Sequence, residues 1–143
     1  MKKISRIVCT MLVFVMIISS FGYATVLDST ALWYPVVDGM TYTHSGRSHL
    51  NSNYLSAYGK TGAPETMFGR RVETTFTYYD SDTQKTYTKT STKYYPSGAP
   101  LSCEVSFSTP SSMPNAKITN VDSSHITYYG GSPYPTYTTH CVW

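Results

Sequence analysis

From about residue 40 onward, apolar and polar residues alternate with the two-residue period of β-strands that bury one face. The pattern is cleanest where Leu101, Cys103, Val105 and Phe107 alternate with Ser102, Glu104, Ser106 and Ser108, which predicts a strand with Cys103 on its buried side. Val72, Thr74, Phe76 and Tyr78 share one parity ahead of the turn residues Asp80-Ser81-Asp82, and a second run covers 84–95. Together 71–95 predict a hairpin. In its second arm Lys85, Tyr87, Lys89, Ser91 and Lys93 fall on one face, with Thr86, Thr88, Thr90, Thr92 and Tyr94 on the other. The lysines are expected in solvent and the threonines against the core or a neighbouring sheet. Residues 116–129 predict a strand pair or one bulged strand: Ile118 and Ile126 are in phase, Val121 is not, and a turn is expected at Asp122-Ser123-Ser124. A last strand over about 136–143 places Tyr137, Cys141 and Trp143 on one face. Residues 40–44 read as a short strand, 48–58 alternate weakly, and Leu32-Trp33-Tyr34 stops at Pro35.

The start of the chain follows different rules. Lys2, Lys3 and Arg6 precede an apolar run from Met11 to Ile18, and Gly22-Tyr23-Ala24 supplies small residues before a break. This is the layout of a secretory signal peptide, expected to be helical and cleaved after Ala24. Its apolar core falls short of the roughly 20 residues that span a bilayer, so no stable membrane insertion is expected after cleavage. The expected organisation is therefore 1–24 signal peptide, 25–38 an N-terminal arm or short first strand, and 39–143 one β domain. Without the leader, eight Lys/Arg balance eight Asp/Glu. That balance leaves no electrostatic footprint for nucleic acid.

Composition supports an all-β body. The segment after the leader holds thirteen Tyr with many Thr and Ser, and few Leu, Ala, Glu or Lys. Short strands divided by Gly/Pro/Asp turns predict a small antiparallel β-sandwich or barrel. Cys9 lies in the leader ahead of the apolar run, which leaves Cys103 and Cys141. In an exported chain this pair is expected to form a disulfide, with two buried thiols as the alternative.

Candidate chemistry is sparse. Three Tyr-Tyr doublets end predicted strands: Tyr78-Tyr79, Tyr94-Tyr95 and Tyr128-Tyr129. Adjacent strand residues face opposite ways, so each doublet offers one ring to the surface. Tyr79, Tyr95 and Tyr129 are the candidate ligand-binding rings, suited to stacking on sugar faces; half-burial in an ordinary strand accounts for the same residues. His44, His49, His125 and His140 match no metal-ligand spacing, and no metal or cofactor is expected. His140 and Cys141 are adjacent and face opposite sides, so they make no nucleophile–base pair. Asp80-Ser81-Asp82 begins like a calcium loop, but Lys85 and Ser91 stand where glycine and glutamate are required. No phosphate loop, nucleophile elbow or His-Glu-x-x-His motif occurs, and no catalytic residue is assigned.

The expected function is non-enzymatic binding, in the bacterial envelope or outside the cell, to a cell-wall glycan or another protein. A second expectation comes from resemblance. On Ser52-Asn53-Tyr54, the Tyr doublets and the terminal Trp143, the chain resembles in gross organisation small exported bacteriocins of the lactococcin 972 type. That resemblance covers short scattered pieces and implies a secreted antagonist; the cysteine pair departs from it, and it assigns no functional residue.

Overall fold

A computed structural model describes residues 25–98 and 100–143, so the expected leader and its cleavage site lie outside the described residues. Among the described residues there are strands and no helix. In chain order they are β1 (Asp28–Trp33), β2 (Val36–Val37), β3 (Met40–Thr41), β4 (His44–Leu50), β5 (Ser56–Gly62), β6 (Gly69–Asp80), β7 (Lys85–Tyr95), β8 (Ser102–Ser108), β9 (Ala116–Tyr129), β10 (Ser132–Pro133) and β11 (Tyr137–Val142). One antiparallel sheet runs β1-β4-β5-β8. The other runs β10-β9-β6-β7, with β11 also on β9, and β2 with β3 forms a small separate ribbon. The two main sheets curl toward each other into a half-barrel. On one side they are tied by paired backbone bonds between Val26 and Val142, at 2.8 and 3.0 Å. On the other, β7 and β8 form no ladder, and side chains such as Tyr87 and Phe107 fill the seam.

The expected hairpin is β6-β7. Its turn is set by Asp80, whose carboxylate accepts from the backbone N–H of Asp82 and Thr83 and from the Thr83 hydroxyl. Residues 116–129 form one continuous strand, so the turn expected at Asp122-Ser123-Ser124 does not exist. The phase break is a bulge instead: Tyr78 pairs with Ile118 and Thr77 with Asn120, leaving Thr119 as the extra residue. The bulge returns Val121 to the inner face and sends Ile126 to the outer one.

The threonine face of β7 is also corrected. Lys85, Lys89 and Lys93 are exposed, yet they share the face of Phe76 and Val72 across the ladder; the threonines lie on the outer face, in solvent. β7 is the edge strand of its sheet, and neither of its faces is fully covered.

The interior has two parts. One is apolar, with Leu50, Phe76, Ile118 and Val121 fully buried and Phe107 stacked on Phe76 at 5.3 Å. Burying each such side chain contributes about 1.5–3 kcal/mol. The other is a layer of hydroxyls and imidazoles. Ser48 lies 2.7 Å from the Ser123 hydroxyl and 2.6 Å from that of Thr139, and Ser123 lies 3.0 Å from Thr74. His125 bridges the sheets, with Nδ1 2.9 Å from the Thr61 hydroxyl and Nε2 2.7 Å from that of Thr139. Glycine makes this layer possible. A Cβ at Gly46 would fall on the His125 ring, and one at Gly59 on the hydroxyls of Thr74 and Ser123.

Cys103 and Cys141 are buried as expected, but they are free thiols, and the expected bridge is absent. The register gives the reason. The Cys141 thiol donates to the Ser48 carbonyl on β4 at 3.2 Å, while Cys103 lies on β8, two strands away. That is about 10 Å across the sheet, beyond the roughly 7 Å between Cα atoms that a disulfide tolerates. Burial raises the Cys141 thiol to about 11 and pushes Cys103 up as well.

Candidate functional site

The outer face of the β7-β6-β9-β11 sheet carries most of the surface chemistry, and register arranges it in rows. Thr92, Glu73, Ser124 and Thr138 lie side by side across four strands. The next row is Thr90, Thr75, Asp122 and His140, followed by Thr88, Thr77, Asn120 and Val142. Successive rows are about 7 Å apart. A groove of about 410 Å³ opens over the first two rows, lined by Glu73, Thr75, Asp122, Ser124, Thr138 and His140.

Each charge in this face has a partner. Arg71 donates to Glu73 at 2.7 Å, and the Thr92 hydroxyl donates to the same carboxylate at 3.1 Å. Glu73, and after it Tyr128, holds the Arg71 guanidinium firmly charged. His140 Nδ1 lies 2.5 Å from Asp122 Oδ1, and Asn120 donates to the other Asp122 oxygen at 3.1 Å. Exposed pairs of this kind add little stability, but they fix side-chain orientation. The Thr75 and Thr90 hydroxyls, 2.9 Å apart, extend the array. Chemically, the face is a neutral, ordered display of donors and acceptors.

Aromatic rings bound it at both ends. Tyr79 lies on this face beside Thr86 and Lys117 and is 38% exposed. At the other end Tyr94, 53% exposed, meets Tyr128 edge-to-face at 5.5 Å over Gly69 and Arg71. From the Tyr94 row to Tyr79 the strip runs about 27 Å.

Of the three candidate rings, Tyr79 alone lies on the strip. Tyr95 faces the other side of β7, under the Lys93 ammonium at 5.2 Å. Tyr129 turns toward Phe68, 5.8 Å away. In two of the three doublets the ring on the outer face is therefore the first member, Tyr94 or Tyr128. The histidines are also dispersed. His44 and His125 are fully buried and held down at about 4, both mainly by burial, with the Arg70 charge adding to the effect at His44. His49 and His140 lie on different sheets. Among the described residues no group of three or more His, Cys, Asp or Glu side chains is placed to hold a metal ion.

The rows themselves were missed in the sequence, because they depend on which strands become neighbours. One signal was present: the alternating threonines of 86–92 match Thr75 and Thr77 across the hairpin turn. Compared with protein-family models, curated proteins and solved structures, the chain matches none of them.

Proposed function

We propose that this protein is an exported, non-catalytic binding domain whose ligand is an extended, uncharged, hydroxyl-rich glycan lying along the outer face of the β7-β6-β9-β11 sheet. The observation that carries this reading is the strip: hydroxyl, amide, carboxylate and imidazole groups in register, self-compensating in charge, with Tyr rings at both ends. Sugars present apolar faces that stack on such rings and hydroxyls that exchange hydrogen bonds with the rows between. The setting is the bacterial envelope or the extracellular space.

The test is calorimetric titration with linear cello- and chito-oligosaccharides of increasing length. Affinity is expected to rise until the oligomer spans the strip, about 27 Å, and then level off. Tyr79→Ala and Tyr94→Ala should each weaken long oligomers about tenfold, by analogy with the 1–3 kcal/mol of a lost ring-stacking contact, and leave the shortest unaffected. Equal affinity for all lengths, or none for any, contradicts the proposal.

A second reading, the secreted antagonist, draws on two contacts. Tyr54 stacks on Trp143 at 4.6 Å, and Lys117 donates to the Asn53 carbonyl at 3.2 Å. Two of the pieces behind the bacteriocin resemblance, the 52–54 segment and Trp143, thus meet in space, while the Tyr94-Tyr95 and Tyr128-Tyr129 doublets lie at the other end of the sheet. Growth inhibition of related bacteria by the purified protein would favour this reading over glycan binding.

A further inference from the structure

Strand β7 turns a second face to solvent, and it differs from the threonine side. Lys85, Lys89 and Lys93 recur every fourth residue on the core-side face, with Tyr87 and Ser91 between them and Tyr95 after them. All three lysines are exposed. Four residues of strand span about 14 Å, so the ridge covers about 27 Å.

Nothing nearby neutralises it. Opposite Lys89 and Lys93 on β6 stand Phe76 and Val72. Opposite Lys85 stands Asp80, whose carboxylate is buried and taken up by the hairpin turn. Across the seam on β8, Glu104 belongs to the outer face, where Lys60 pairs with it at 3.8 Å. Among the described residues no carboxylate lies within ion-pairing distance of the three ammonium groups. In a body with balanced charges overall, this is a line of three exposed ammonium groups, with one carboxylate, the buried Asp80, facing the first of them.

We infer that this ridge binds a linear phosphate-bearing polymer running along the exposed lysines of β7, outside the filled β7/β8 seam. Lysine meets phosphate as a point charge and needs no bidentate fit. The ridge contains no arginine fork of the kind that favours planar carboxylates. The Tyr95 hydroxyl, beyond the lysines, adds a neutral donor; that of Tyr87 is turned to the Thr83 hydroxyl at 3.4 Å. This site lies on the face of β7 opposite the threonine rows and does not depend on the glycan reading. Inward-facing lysines on an edge strand also deter strand addition from other molecules. That role alone predicts no affinity for a polyanion.

The experiment is fluorescence-anisotropy titration of the protein with labelled inorganic polyphosphate over a range of salt concentrations. Binding at low salt is expected, with log K falling against log salt at a slope of about −2, the value for three contacts on a single-stranded polyanion. The triple variant Lys85→Gln, Lys89→Gln, Lys93→Gln should lose at least tenfold in affinity and most of the slope. Lys89→Gln alone should remove about a third of the slope, which keeps the test valid if the triple variant fails to fold. Lys60→Gln, on the opposite sheet, should change neither. Absence of binding by the unaltered protein at low salt, or a slope unchanged in Lys89→Gln, overturns the inference. Equal affinity for polygalacturonate overturns its assignment to phosphate.

Discussion

The two parts of the interior are built from the same strands. Moving two residues along β6 exchanges Phe76 for Thr74; on β9 Val121 gives way to Ser123, on β4 Leu50 to Ser48, and on β11 Cys141 to Thr139. The apolar part supplies free energy through burial. The polar part supplies less, because each buried hydrogen bond replaces one made to water. Its contribution is specificity. A one-residue slip of any of these strands would leave several buried hydroxyls and an imidazole without partners. The polar part also underlies the groove: Ser123 and Thr139 point inward between Asp122, Ser124, Thr138 and His140, which point outward. The layer that fixes register thereby fixes the rows of the proposed binding face.

Phe76→Ala, in the apolar part, should cost about 3–5 kcal/mol in denaturant unfolding at neutral pH. An acid titration should single out the polar part. His44 and His125 are held at about 4 in the folded chain against 6.5 for an ordinary histidine. Above pH 6.5 both are neutral in either state and contribute no pH dependence. As pH falls from 6.5 to 4 the unfolded chain takes up protons that the folded chain resists, and stability drops by up to about 3 kcal/mol per histidine. Unfolding midpoints measured at pH 7, 5.5 and 4.5 check this, and a flat profile would mean that the imidazoles are not sequestered. The smallest of these effects belongs to Ser123→Ala, at about 1–3 kcal/mol, since it takes a buried partner from the Thr74 hydroxyl, while Ser48 keeps Thr139.

Most strands were legible in the sequence because period-two alternation is a local property; β4 and β5 were not, since the turn between them falls inside the weakly alternating 48–58 segment. The 71–95 hairpin, the buried Cys103 and Cys141, and a continuous or paired 116–129 segment all followed from the alternation. Four features were not legible, for one physical reason: each depends on pairing between distant segments. The bulge at Thr119 arises from the ladder with Thr77 and Tyr78, so its phase break looks like a turn in one dimension. The cysteines share a buried interior but belong to strands of different sheets, with β5 separating the Ser48 neighbourhood of Cys141 from the strand of Cys103. The orientation of β7 depends on its position at an edge, where lysines can face the core side and still reach water. The buried histidines likewise looked like dispersed polar residues, because Gly46 and Gly59, which make room for the hydroxyl–imidazole layer, lie on a different sheet.

Whether the register-ordered outer rows are the ligand-binding face can be read by mapping amide chemical-shift changes while a linear oligosaccharide is added. Changes are expected at Glu73, Thr75, Asp122 and His140, extending to Tyr79 and Tyr94, with none at Tyr58 or His49 on the opposite sheet. Changes centred on Tyr58 and His49, or a spectrum unmoved by saturating ligand, would contradict it.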